Sequence, residues 1–151
     1  MKGIAELPNC RTAELNRESN FSIQLQKRTK TFSVRLIHLA DALPNKTSAW
    51  VVGKQVLKSG TSIGANYYES CRARSKAEFI AIIGTVAKEA AETIYWLEIL
   101  GESGIVPAQR LQGLLKEAHE LTAIFTASYN TASGKSNSAV RQFGSSQMLN
   151  G

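Results

Sequence analysis

The chain has 151 residues, 43% of them hydrophobic and 20% charged, with a formal net charge of +6. That length supports one core and a single domain. No apolar run approaches the ~18 residues of a membrane span, and the first eight residues lack the apolar stretch of a secretory signal. The two cysteines, Cys10 and Cys71, stand far apart with no CxxC or Cys/His cluster. They read as reduced thiols of a cytoplasmic protein, Cys71 half-buried on a helix.

Residues 1–19 are polar, mixed in charge and aperiodic, which predicts a mobile leader. From Phe21 a helical pattern runs through Leu25, Phe32, Leu36, Leu39 and Leu43 and stops at Pro44. Thr47 or Ser48 is placed to cap a second helix carrying Val52, Val56, Ile63 and Tyr67, which ends near Arg72-Ala73-Arg74. Ser75-Lys-Ala-Glu78 has the form of a capping box and opens a third helix. Its apolar positions are Phe79, Ile83, Val86, Ala90, Thr93, Leu97 and Leu100, with a second stripe at Ile80, Ala87, Ala91 and Ile94. Gly101 and Gly104 signal its end, and Pro107 fits the first position of a fourth helix bearing Leu111, Leu114 or Leu115, Ala118, Leu121 and Phe125. Residues 132–151 are rich in Ser, Asn, Gly and Gln, a composition that predicts disorder. The fold class is therefore all-α: an up-down-up-down antiparallel four-helix bundle over residues 20–131. Its wide apolar faces and small-residue positions favour an oligomer.

Charge is divided along the chain. Residues 27–76 hold ten Lys or Arg against Asp41 and Glu69, a net of +8, whereas residues 77–131 hold three against seven Glu, a net of −4. Such a split points to a polyanionic partner or to association between unlike faces. On the second helix Lys54, Lys58, Thr61, Ala65, Tyr68 and Arg72 recur at spacings of three and four, a stripe about 27 Å long. Lys and Arg there would neutralise phosphates, and Tyr68 would stack on a base or lie against a sugar. Lys27, Arg28, Lys30 and Arg35 on the first helix would add to that field. An ordinary solvated helix face has the same pattern. No motif for reading bases is present, so binding to RNA or DNA would be independent of sequence.

Within Ser59–Phe79, the residues Ser59, Ser62, Asn66 and Glu69 share one helical stripe, and Gly60 and Gly64 invite close approach of a neighbouring helix. Ser62, Asn66 and Glu69 therefore read as a structural seam, with Glu69 paired to Arg72, Arg74 or Lys76. One carboxylate beside an amide lacks the partner that acid–base catalysis needs. His38 and His119 have no second ligand at helical spacing, so they read as solvated or core histidines, and no metal site follows. Gly60–Gly64 lacks the Lys and Ser/Thr of a phosphate loop and lies inside a helix. No cofactor site is visible. Tyr95-Trp96 is expected at a helix or subunit interface.

Leu39-Ala-Asp-Ala-Leu-Pro44, the Ser59–Asn66 run with Glu69, Ala73-Arg-Ser-Lys-Ala-Glu-Phe-Ile80 and Lys88-Glu-Ala-Ala-Glu-Thr-Ile-Tyr-Trp-Leu97 resemble a bacterial family. It comprises the four-helix bundle proteins encoded in intervening sequences of 23S ribosomal RNA genes, and includes the accessory variability proteins of diversity-generating retroelements. The resemblance covers about residues 21–131. It implies a ring-shaped homopentamer and, for the retroelement members, nucleic-acid binding through a basic surface and association with a reverse transcriptase. Two functions follow as expectations. One is a non-catalytic accessory protein that holds nucleic-acid backbone. The other is a structural adaptor that docks a protein partner such as a reverse transcriptase.

Overall fold

The computed structural model of the chain describes residues 10–135. Four helices run in order: α1 (Cys10–Asp41), α2 (Thr47–Ser70), α3 (Lys76–Glu102) and α4 (Ala108–Ser133). No strand occurs among the described residues. The helices form a four-helix bundle in which each packs on its neighbour in sequence, and a sparser α1–α4 contact closes the set.

The predicted periodicities locate the core. Leu25, Phe32 and Leu36 from α1, Val56, Ile63 and Tyr67 from α2, and Ile83, Val86, Ala90, Leu97 and Leu100 from α3 are all buried. Leu111, Leu114, Ala118, Leu121 and Phe125 complete it from α4. Tyr67 meets Phe125 across the core with ring centroids 5.2 Å apart. The second α3 stripe is less enclosed: Ile80, Ala87 and Ile94 are half-buried and Ala91 is exposed.

Helix ends follow the capping chemistry with small shifts. Ser75 caps α3 as expected, its hydroxyl accepting from the Glu78 amide at 3.1 Å, and the Glu78 carboxylate accepts from the Arg74 amide at 2.7 Å. The expected Thr47 or Ser48 cap of α2 is not formed; Lys46 occupies the N-cap without a side-chain bond. Pro107 precedes α4 as its N-cap rather than standing inside it. Gly101 remains within α3, and Gly104, at φ 73°, makes the left-handed turn beyond it. Gly134, also at φ 73°, ends α4 two residues past the expected boundary.

The larger difference is at the front. α1 begins at Cys10, so residues 10–19 of the expected leader are helical. Residues 15–21 are exposed, Leu15 and Phe21 by 61% and 57%, so this stretch continues the backbone ladder without joining the core. Periodicity reports burial, and a helical segment that buries nothing carries no period to detect. Phe21 accordingly leaves the core set predicted for it. The expectations for residues 1–9 and 136–151 lie outside the described residues.

Candidate nucleic-acid interface

The buried face of α2 comprises Ala49, Gly53, Val56, Ser59, Gly60, Ile63, Tyr67 and Ser70. At about 100° per residue the opposite face is the one predicted to be basic. There Lys54, Lys58, Ala65 and Tyr68 are exposed, and Thr61 is half-buried with its hydroxyl on the Leu57 carbonyl at 2.6 Å. α2 ends at Ser70, short of the expected Arg72–Arg74, so the exposed Arg72 extends the face from the turn beyond the helix. The Arg72 guanidinium lies 4.1 Å from the Tyr68 ring centroid. A matching pair stands at the other end of the stripe, where the Lys54 ammonium lies 4.4 Å from the Trp50 ring centroid. Trp50 is 64% exposed. It belongs to the candidate interface and is missing from the predicted stripe, although its place four residues before Lys54 signals it. Each end of the face thus presents an aromatic plane with a cation over it.

The cations predicted on α1 spread around its outer side, with Lys30 toward α2, Arg28 and Arg35 toward α4, and Lys27 between them, bordering a cleft on each flank. Lys27 and Lys30 line a groove of about 470 Å³ between α1 and α2, together with Ile23, Gly64, Ala65 and Tyr68. Gly64 and Ala65 form a low floor there, which leaves Tyr68 and the two lysines standing over it. Arg28 turns the other way, to α4. Its Nε and Nη2 donate to the two carboxylate oxygens of Glu117 at 2.6 and 2.9 Å, and Nη2 also bonds Glu120. The hydrogen bond to Glu117 is the main cause that raises the Arg28 pKa above its ordinary value. Arg28 is therefore a clamp across the sparse α1–α4 contact, and it leaves the set of phosphate-binding candidates. Arg35, seven residues on and so on the same flank, also lies against α4. Its guanidinium is 3.1 Å from the place a Cβ on Gly113 would take, so the missing side chain makes its room.

The expected seam is displaced. Ser62 and Asn66 are only half-buried and Glu69 is exposed. The Ser62 hydroxyl bonds the Lys58 carbonyl of its own helix at 2.6 Å, and Glu69 makes no ion pair with Arg72, Arg74 or Lys76 among the described residues. The buried polar contact belongs to Ser59, whose oxygen accepts from Thr93 of α3 at 3.0 Å. Ser59 also donates to the Gln55 carbonyl, and Thr93 shares its one proton between Ser59 and the Glu89 carbonyl, so neither hydroxyl is stranded. The predicted seam lies one helical step off the core-facing direction, because polarity alone does not tell a flank from a core position. The two glycines do serve close approach: added Cβ atoms would lie 2.0 Å from Leu36 at Gly60 and 3.4 Å from Thr29 at Gly64.

The remaining candidates resolve simply. Cys71 caps α2 and is exposed rather than half-buried, with Sγ 3.3 Å from the Ser22 hydroxyl. The Tyr67 hydroxyl donates to the same Ser22 oxygen at 3.4 Å, and burial pushes the Tyr67 pKa up. His38 and His119 are both exposed, and no group of three His, Cys, Asp or Glu among the described residues is placed to hold a metal. Trp96 is half-buried against the core and donates to Glu92 at 3.1 Å, while Tyr95 stands 54% exposed. Burial pushes the Glu89 carboxyl up, reinforced by the neighbouring Glu92 charge and opposed by Lys58 and Lys88. Among the described residues no helix is long and apolar enough to cross a membrane.

No curated protein is significantly similar to the chain. A solved crystal structure, of a protein of unknown function from the S23 ribosomal protein family of Bacteroides thetaiotaomicron, is 34% identical with a TM-score of 0.65. The similarity covers 69% of this chain and 96% of that one. The family model described as 23S rRNA-intervening sequence protein matches residues 22–127. The order of the four helices and this match agree, and the chain belongs to the 23S rRNA-intervening sequence protein family.

Proposed function

We propose that the protein is a small oligomeric accessory protein that holds RNA or DNA backbone on the outer face of α2, without chemistry of its own. The observation that carries this reading is the α2 face itself: Lys54 over Trp50 at one end, Arg72 over Tyr68 at the other, and Lys58 exposed between them. Cations along such a face release counterions from phosphates, and the two rings offer stacking surfaces that tolerate any base. Lys27 and Lys30 extend the cationic strip into the α1–α2 groove beside Tyr68.

The bundle is proposed to run up-down-up-down. Glycine contacts support this: Gly60 and Gly64 of α2 abut Leu36 and Thr29 of α1 in reverse order, and Gly84 and Gly101 of α3 abut Tyr129 and Leu111 of α4 in reverse order. The assembly is proposed to be a homopentamer in the cytoplasm. Exposed Val34, Ile37 and Val51 and the shallow α3–α4 groove around Gly84 and Ala87 are unpartnered apolar surface that assembly would cover. A ring would repeat the basic face, and linked weak contacts commonly raise avidity ~100-fold or more where geometry permits.

Replacing Lys54, Lys58 and Arg72 together with Glu tests the reading. Gel shift with single-stranded RNA and DNA at moderate salt should lose the complex, while circular dichroism and sedimentation stay unchanged. Single substitutions should lower the slope of log affinity against log salt by about one for each phosphate no longer neutralised. Undiminished binding by the triple variant would overturn the interface. The second reading, an adaptor for a protein partner such as a reverse transcriptase, is favoured by the same exposed apolar residues. It predicts no nucleic-acid shift by the wild type.

A further inference from the structure

At the end of the bundle where α1 finishes and α4 begins, a pocket of about 330 Å³ opens between Arg35 and His38 of α1 and Arg110 of α4. Its remaining wall is apolar, chiefly Leu39, Leu43, Ile105 and Leu114. The volume lies at the lower end of small-molecule sites, which combine an apolar wall with a few convergent polar groups. Among the described residues neither Arg35 nor Arg110 makes an ion pair or a side-chain hydrogen bond. No carboxylate lines the pocket: Asp41 borders a different cleft with Trp50 and Lys54, and Glu117 is engaged by Arg28. The negative end of α1 and the positive end of α4 both abut the pocket, so their dipoles oppose one another and the side chains set the field.

We propose that this pocket binds a small organic phosphomonoester of nucleoside-monophosphate size, its phosphate held between Arg35 and Arg110 and its ring body on the apolar wall. A carboxylate is satisfied by the fork of one guanidinium. Two guanidiniums arriving from different helices, with an imidazole beside them, match an anion that presents oxygens in several directions, as a tetrahedral phosphate does. The Leu and Ile side chains give no reason to bind a bare inorganic ion and offer burial to an attached ring. The site is separate from the α2 face, so its occupancy does not depend on the nucleic-acid reading.

Isothermal titration calorimetry of the full chain with AMP, adenosine and inorganic phosphate tests it. AMP should bind with one site per chain, and adenosine and inorganic phosphate should each bind at least about tenfold more weakly. Arg35→Gln and Arg110→Gln should each weaken AMP roughly tenfold to a hundredfold, and the double variant should abolish the heat. Both side chains are exposed, so circular dichroism of these variants should match wild type. The Lys54, Lys58 and Arg72 triple Glu variant should bind AMP as the wild type does. No AMP heat at millimolar concentration, equal affinity for AMP and inorganic phosphate, or unchanged affinity in the folded double variant would each overturn the assignment. Loss of AMP binding in the α2 variant alone would move the phosphate to that face and overturn it too.

Discussion

Gly60→Ala sets two effects of known sign against each other, and Gly64→Ala four residues on separates them. Both positions lie inside α2, so an added methyl brings the same gain in helix propensity, about 1 kcal/mol. At Gly64 the new Cβ would stand 3.4 Å from Thr29, ordinary contact, and the gain should survive. At Gly60 it would stand 2.0 Å from Cδ1 of Leu36, which must retreat about 1.4 Å to reach the same separation. Leu36 is 0% exposed, and a second wall, Thr93 Cγ2, lies 3.5 Å from the new atom. Inserting a methyl into such a core costs roughly 1–3 kcal/mol. In the difference between the two variants propensity cancels, leaving Gly60→Ala about 1–3 kcal/mol less stable than Gly64→Ala. Urea denaturation reads this directly, and a thermal midpoint should fall about 2–4 °C per kcal/mol for a chain near this size. Leu36→Val removes the clashing atom, so the pair Leu36→Val/Gly60→Ala should cost less than the sum of its parts. Equal stabilities for the two glycine variants, or strict additivity with Leu36→Val, would refute the close approach of α1 and α2 at Gly60.

The Arg28 clamp should show in a double-mutant cycle: Arg28→Met and Glu117→Gln should couple by about 1 kcal/mol at low salt, since the geometry is bidentate but the guanidinium is partly solvated. The coupling should shrink in 0.5 M salt, and a coupling of zero at low salt would show the pair to be ornamental. Glu89 has its folded pKa raised by burial, so the native state holds that proton more tightly than the unfolded chain. Its contribution is therefore favourable at low pH and is lost as pH rises through the folded pKa. Glu89→Gln should consequently be the more stable protein at pH 7 and lose that advantage below the ordinary carboxylate range; chemical denaturation at the two pH values checks the sign. Trp50→Ala should weaken nucleic-acid binding without lowering the salt slope, because it removes a stacking plane and leaves the cations in place; a changed slope in titrations across salt would contradict that division of labour.

The parts of the fold that were legible in the sequence are those in which burial imposes a period. α3 and α4 have an apolar residue at nearly every core-facing position, so Ile83 to Leu100 and Leu111 to Phe125 could be assigned from spacing alone. The Ser75 cap was legible because its hydroxyl and the Glu78 carboxylate act within one turn. The start of α1 was not, because residues 15–21 are exposed and have no partner to enforce a pattern. Neither was the polar seam: Ser59 and Ser62 are the same residue type, and only their direction relative to Thr93 separates a buried hydroxyl from a flank.

The candidate interface divides along the same line. A stripe opposite a known core face needs only the helical period, which is why Lys54, Lys58, Tyr68 and Arg72 could be grouped before any neighbour was placed. The α1 cations posed a different question. Leu25, Thr29, Phe32 and Leu36 fix the buried direction of α1, and Lys30 and Arg28 then fall on opposite flanks of it. Period gives that separation but not which flank meets α2 and which meets α4, since the two hands of a four-helix arrangement exchange them. Side-chain chemistry breaks the tie. Glu117 and Glu120 recur at helical spacing on α4 and offer Arg28 a partner, whereas the α2 flank offers Gly64, Ala65 and Tyr68, with no carboxylate lining the groove. Cations facing carboxylates become clamps, and cations facing an uncharged groove keep their charge for a ligand. That one arrangement removes Arg28 from the interface, leaves Lys27 and Lys30 beside Tyr68, and sends Arg35 to the pocket it shares with Arg110.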